Sequence, residues 1–165
     1  MTIRQEESAD GGAWLLAAIA SAGAAANPRQ PRLWAAGHVF DAVIVTDRIG
    51  IEAVDWYRRL GCEVPPAVID HRSRRVAFLI APVGAAFFAG ALTVLRAELP
   101  HRYLSDGGYL LVPGPGVETG DRYQWLNAPA EDSNLDRNAV ALLAGHLLIA
   151  ARNLSAAAEG TDDER

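Results

Sequence analysis

The sequence predicts one α+β domain, a mainly antiparallel sheet packed with helices, and three stretches carry that expectation. Val39–Val45 is nearly continuous in apolar residues, the pattern of a strand buried on both faces, and it leads through Thr46-Asp47 into a helical segment, Ile49–Leu60. Ala67–Asp70 and Arg75–Ala81 are two apolar runs around a polar turn, which reads as a hairpin. From near Ser133 to about Ala158, Val140, Leu143, Leu147, Ala151 and Leu154 form an apolar stripe at helical spacing.

In chain order, residues 1–11 read as a disordered lead-in, 12–158 as the domain and 159–165 as a charged tail. Ala13–Ala24 has helical spacing of Trp14, Leu15, Ala18, Ile19 and Ala22, broken by the Pro- and Arg-rich turn from Asn27 to Pro31. Asp47 is the N-cap candidate of the next helix, and Gly61 fits its left-handed C-terminal position. Ala85–Ala97 is a further helix. Tyr109–Val112 and Tyr123–Leu126 read as a second hairpin around a Pro/Gly turn, and Ser133-x-x-Asp136 resembles a capping box with Asp for Glu.

Composition narrows the function classes. The net charge of -5 argues against a strongly basic nucleic-acid binder. All 15 basic residues are Arg, which suits bidentate phosphate contacts and equally fits the coding bias of a GC-rich genome. Cys62 is the single cysteine, so neither an internal disulfide nor a cysteine metal site is expected. The polar, acidic N-terminus is unlike a signal peptide. Ala13–Ala26 is too short to span a bilayer, and His146, Arg152 and Asn153 interrupt the last helix. A cytoplasmic protein with no membrane partner is the expectation.

Asp106–Pro129, DGGYLLVPGPGVETGDRYQWLNAP, combines backbone-restricting Gly and Pro with aromatics more densely than any other stretch. Its Gly107, Gly108, Tyr109, Pro113, Gly120, Tyr123, Trp125 and Pro129 resemble the closing part of the bifunctional DNA primase/polymerase domain of the archaeo-eukaryotic primase type. Phe40–Gly61 is similar to that family's strand–Asp–helix unit, and Val68–Pro82 to its central hairpin. The resemblance covers roughly residues 35 to 130. It implies a primase-polymerase-like fold and phosphoryl transfer by two divalent metals held on carboxylates.

The departures gather on the functional positions. The family's Asp-x-Asp falls on Val45-Thr46-Asp47, so only its second Asp remains; Asp47 and Asp106 are the catalytic candidates and Asp47 the metal candidate. The hairpin's Gly-Gly-x-His falls near Arg74-Arg75-Val76, and the third metal-binding Asp falls near Arg102, with Asp106 four residues displaced. Pro115 and Val117 replace the turn's Ser and the following His. The resemblance therefore implies a degenerate domain, expected to have lost nucleotidyl transfer and to bind a nucleotide, a nucleic acid or a protein partner in an accessory or regulatory role. Arg72, Arg74, Arg75 and Arg102 are its candidate phosphate contacts, and no cofactor is expected. The alternative is an active nucleotidyltransferase using Mg²⁺ or Mn²⁺ on a rearranged set, Asp47, Asp70 and Asp106.

Blander readings stand beside these. Asp47 suits a helix cap, Asp106 a turn, and the hairpin arginines a solvated turn. Trp34, Trp56, Tyr103, Tyr109, Tyr123 and Trp125 fit a base-stacking platform or simply core. The Ala-rich first and last helices offer a surface for self-association.

Overall fold

The computed structural model describes residues 17, 27–130, 133 and 135–160. The lead-in and, apart from Ala17, the helix expected over Ala13–Ala24 lie outside these residues, as do residues 161–165 of the tail. In chain order the elements are β1 (Arg32–Ala35), β2 (Asp41–Thr46), α1 (Asp47–Arg59), β3 (Ala67–Asp70), β4 (Arg75–Ile80), α2 (Ala85–Val94), β5 (Arg102–Leu104), β6 (Tyr109–Val112), β7 (Tyr123–Asn127) and α3 (Arg137–Gly160). They form a mixed α+β domain with two antiparallel sheets, a five-stranded one in the order β5-β2-β4-β3-β7 and a two-stranded ribbon, β1-β6.

Side chains alternate across a strand, so the five-stranded sheet has two distinct faces. Val43, Val45, Ile69, Val76, Phe78 and Ile80 point to one face and are buried beneath helices. α1 supplies Gly50, Ala53, Val54 and Tyr57, spaced i, i+3, i+4 and i+7 along one side. α3 supplies Val140, Leu143, Ala144, Leu147 and Leu148 and packs against both α1 and α2. α3 has the length and apolarity of a membrane span, yet its apolar side is the centre of this core. On the opposite face, Trp34, Leu110 and Val112 of the ribbon are buried.

Several expectations hold with small shifts. Gly61 has φ +65; its N–H donates to the Arg58 carbonyl and the Cys62 N–H to the Tyr57 carbonyl, a Schellman end to α1. The hairpin of β3 and β4 forms as expected. Thr46, not Asp47, occupies the N-cap position of α1 and makes no side-chain cap bond; the Asp47 carboxylate is engaged elsewhere. α3 starts later than Ser133: Asp136 accepts the Ala139 N–H at 2.7 Å, while Ser133 Oγ accepts that of Ala130.

The second expected hairpin does not form. β6 pairs with β1, and β7 pairs with the free edge of β3. The Pro/Gly segment between them is pressed against the Asn27–Pro31 turn instead. A Cβ on Gly114 would lie 2.3 Å from the Pro28 carbonyl oxygen, the Gly116 N–H donates to that same oxygen, and Arg29 pairs with Glu118 and Asp121.

Candidate functional site

The ribbon packs on the sheet's second face through Trp34, which lies against Trp125 and Phe40. The paired positions Leu104, Ala42 and Leu79 lie towards the Asp41 end. The next row, Arg102, Ile44, Ala77 and Val68, and the last, Arg75 and Asp70 with Tyr123, floor a groove at the Thr46 end. Tyr109, Leu110 and Leu111 of β6 form its wall. It encloses about 440 Å³, within the size range of small-molecule sites.

Charge in the groove is unevenly matched. Arg122 holds Asp70 in a two-point contact, Nε to Oδ1 and Nη2 to Oδ2, each 2.8 Å. The Asp70 Oδ1 also accepts the Arg72 and Ser73 N–H groups at 3.0 and 3.3 Å. The Arg122 guanidinium, with these donors, outweighs burial and holds the Asp70 carboxyl well below its ordinary range. Arg75 lies directly across the ladder from Asp70, but that carboxylate is taken. Arg75 and Arg102 are exposed at the groove, and neither guanidinium has an ion pair among the described residues. The groove thus presents two uncompensated cations beside two phenols, Tyr109 and Tyr123.

The four candidate arginines separate. Arg75 and Arg102 line the groove. Arg74, with φ +55, turns away and pairs through Nε with Asp47 Oδ2 at 3.0 Å, while its carbonyl accepts the Asp47 N–H. Arg72 is exposed on the hairpin turn, outside the groove lining. Burial pushes the Asp47 carboxyl up, but Arg74 and the Arg48 amide prevail and keep it below its ordinary value. Asp47 is therefore a clamp between the hairpin and α1.

The carboxylates named for a metal do not come together. β5 runs antiparallel to β2 with Leu104 opposite Ala42, which carries Asp106 to the Asp41 end, against Gly37. At ~3.3 Å per residue, Asp106 stands on the order of 20 Å along the strands from Asp47. Asp70 shares the Asp47 end, but β4 lies between their strands, a separation of about 10 Å. Among the described residues no group of three His, Cys, Asp or Glu side chains could hold a metal ion, so the donor set does not fit a two-metal site.

Of the six aromatics, Tyr109 and Tyr123 reach the groove. Trp34 packs on Trp125 and Phe40, Tyr103 points to the helix face beside Phe88, and Trp56 lies under Arg59. Arg122 carries no sequence signal as a site residue; it immediately precedes β7, whose first residue, Tyr123, pairs with Asp70. It also lies over the Tyr123 ring at 4.7 Å. No family model matches the chain, and neither a curated protein nor a solved structure does.

Proposed function

We propose that this is a primase-polymerase-like domain that has lost nucleotidyl transfer and binds the phosphates of a nucleotide or nucleic acid in its groove, in an accessory or regulatory role. One observation carries the reading: Arg75 and Arg102, with no ion pair among the described residues, share a groove of about 440 Å³ with Tyr109 and Tyr123. Guanidinium groups match phosphate oxygens in planar, two-point geometry, and phenol rings offer faces to a base. Support for binding without transfer comes from the carboxylates: Asp47 and Asp70 are each held by an Arg, and Asp106 sits at the other end of the sheet.

Fluorescence anisotropy with a labelled single-stranded oligonucleotide and with labelled ATP tests it. The wild-type chain binds one of them, and Arg75→Ala with Arg102→Ala lowers affinity by about tenfold or more, the scale of lost charged hydrogen bonds. Primer extension with Mn²⁺ gives no product. Template-dependent synthesis that disappears in Asp47→Ala would establish the active nucleotidyltransferase instead.

A further inference from the structure

The wall of the groove is a strand with one edge unpaired among the described residues. Ala36 donates its N–H to the Gly108 carbonyl at 2.9 Å, so these two residues form a hydrogen-bonded pair. Antiparallel ladders alternate between bonded and non-bonded pairs. With Trp34 opposite Leu110, and Ala35 and Leu33 opposite Tyr109 and Leu111, the backbone groups of Leu110 turn towards β1. Those of Tyr109 and Leu111 turn away from it. Among the described residues β1 alone pairs with β6.

That free edge faces the groove. Successive side chains of a strand point to opposite sides, yet Tyr109, Leu110 and Leu111 all line the same space. Three consecutive residues do so only where the groove runs along the strand's edge. The Tyr109 carbonyl and the Leu111 N–H therefore stand next to each other as an acceptor and a donor, with Arg75 and Arg102 lining the same groove.

We propose that this edge reads a nucleobase: the Tyr109 carbonyl and Leu111 N–H bond the Watson–Crick edge of an unpaired base, and the nucleotide's phosphates lie towards Arg75 and Arg102. The proposal rests on the nucleotide-binding reading above and adds the part of the ligand that reading leaves open. Every nucleobase carries an adjacent donor and acceptor on that edge, so the pair selects for an unpaired base rather than for one base. Two outward-facing residues suffice for a single base and offer little to an added peptide strand, whose affinity comes from a run of main-chain bonds. A duplex is excluded, because its Watson–Crick edges are already bonded.

Isothermal titration calorimetry of the full chain tests this with ATP, GTP, CTP, UTP and inorganic triphosphate, followed by the tightest nucleotide methylated on its Watson–Crick edge. At least one nucleoside triphosphate binds about tenfold or more tightly than inorganic triphosphate, and methylation removes that gain, as expected for loss of a two-point base contact. Leu111→Pro deletes the donor on the edge that β1 does not use, a position where strands tolerate proline. It weakens the nucleotide by about tenfold and leaves inorganic triphosphate unchanged. If that variant fails to fold, as judged by circular dichroism, the methylated nucleotide decides alone. Equal binding of inorganic triphosphate and nucleotides, or an unaffected methylated nucleotide, overturns base reading while phosphate binding stands. If the chain binds none of these ligands and does not bind the oligonucleotide either, both readings are overturned. Competition by duplex DNA as strong as by a single strand of equal length also overturns base reading.

Discussion

The two faces of the five-stranded sheet are made by the same strands and do opposite things. On the helix side, β2 and β4 present Val43, Val45, Val76, Phe78 and Ile80, all buried. On the other, the same strands present Ile44, Ala77 and Arg75 to a groove. Strand alternation lets one stretch of chain specify a closed core and an open charged surface at once. Stability is thus concentrated on one face, and Arg75 and Arg102, with no ion pair among the described residues, are left on the other.

Mutations on the two faces should separate these roles. Phe78→Ala removes a fully buried ring and should cost about 3–5 kcal/mol, read as a lower urea midpoint with the groove arginines untouched. Tyr103→Phe comes next. The Tyr103 hydroxyl donates to Asp41 Oδ2 at 2.6 Å, and Asp41 is buried with the Gly84 N–H as its other donor; losing one donor to a buried carboxylate should cost about 1–3 kcal/mol.

Acid titration distinguishes the faces by the pH at which each weakens. Burial beside Tyr57, ring centroids 3.9 Å apart, holds the His146 imidazole below its ordinary value. Its neutral form is favoured in the fold, so its contribution is full above the unfolded value of about 6.5 and is lost as pH falls. The Asp70 carboxyl, depressed by Arg122, loses its contribution only below the unfolded value of about 3.9. Thermal melts should show two limbs. His146→Leu flattens the first. Asp70→Asn shrinks the second, to which Asp47 also contributes, by up to about 1 kcal/mol because the pair is solvent-accessible. Smallest in stability is the pair Arg75→Ala and Arg102→Ala, which should stay within about 0.5 kcal/mol while lowering affinity by about tenfold or more.

What the sequence made legible follows the same division. The helix face announced itself through apolar runs: β2, β3, β4, α1 and α2 lie within a few residues of where periodicity puts them. β1 and β5 escaped because they have four and three residues, each beginning with Arg, too short for alternation to register. The hairpin that the sequence suggests for β6 and β7 does not form because their partners are set by distant segments: β1 comes from far upstream, and the Pro/Gly link is held by the Asn27–Pro31 turn. In the groove, Arg75 and Arg102 came from a positional resemblance, whereas nothing local separates Arg74, which clamps Asp47, from Arg75 beside it. That difference arises from strand parity and the left-handed backbone of Arg74, both visible only once the hairpin register is fixed.

The most direct measurement of the division between faces is amide chemical-shift mapping of the ¹⁵N-labelled chain during titration with ATP and a short single-stranded oligonucleotide. Shifts are expected at Ile44, Val68, Arg75, Ala77, Arg102, Tyr109–Leu111 and Tyr123, with the buried positions of α3 unmoved. Shifts centred on α1 and α3, or none with either ligand, would contradict that division.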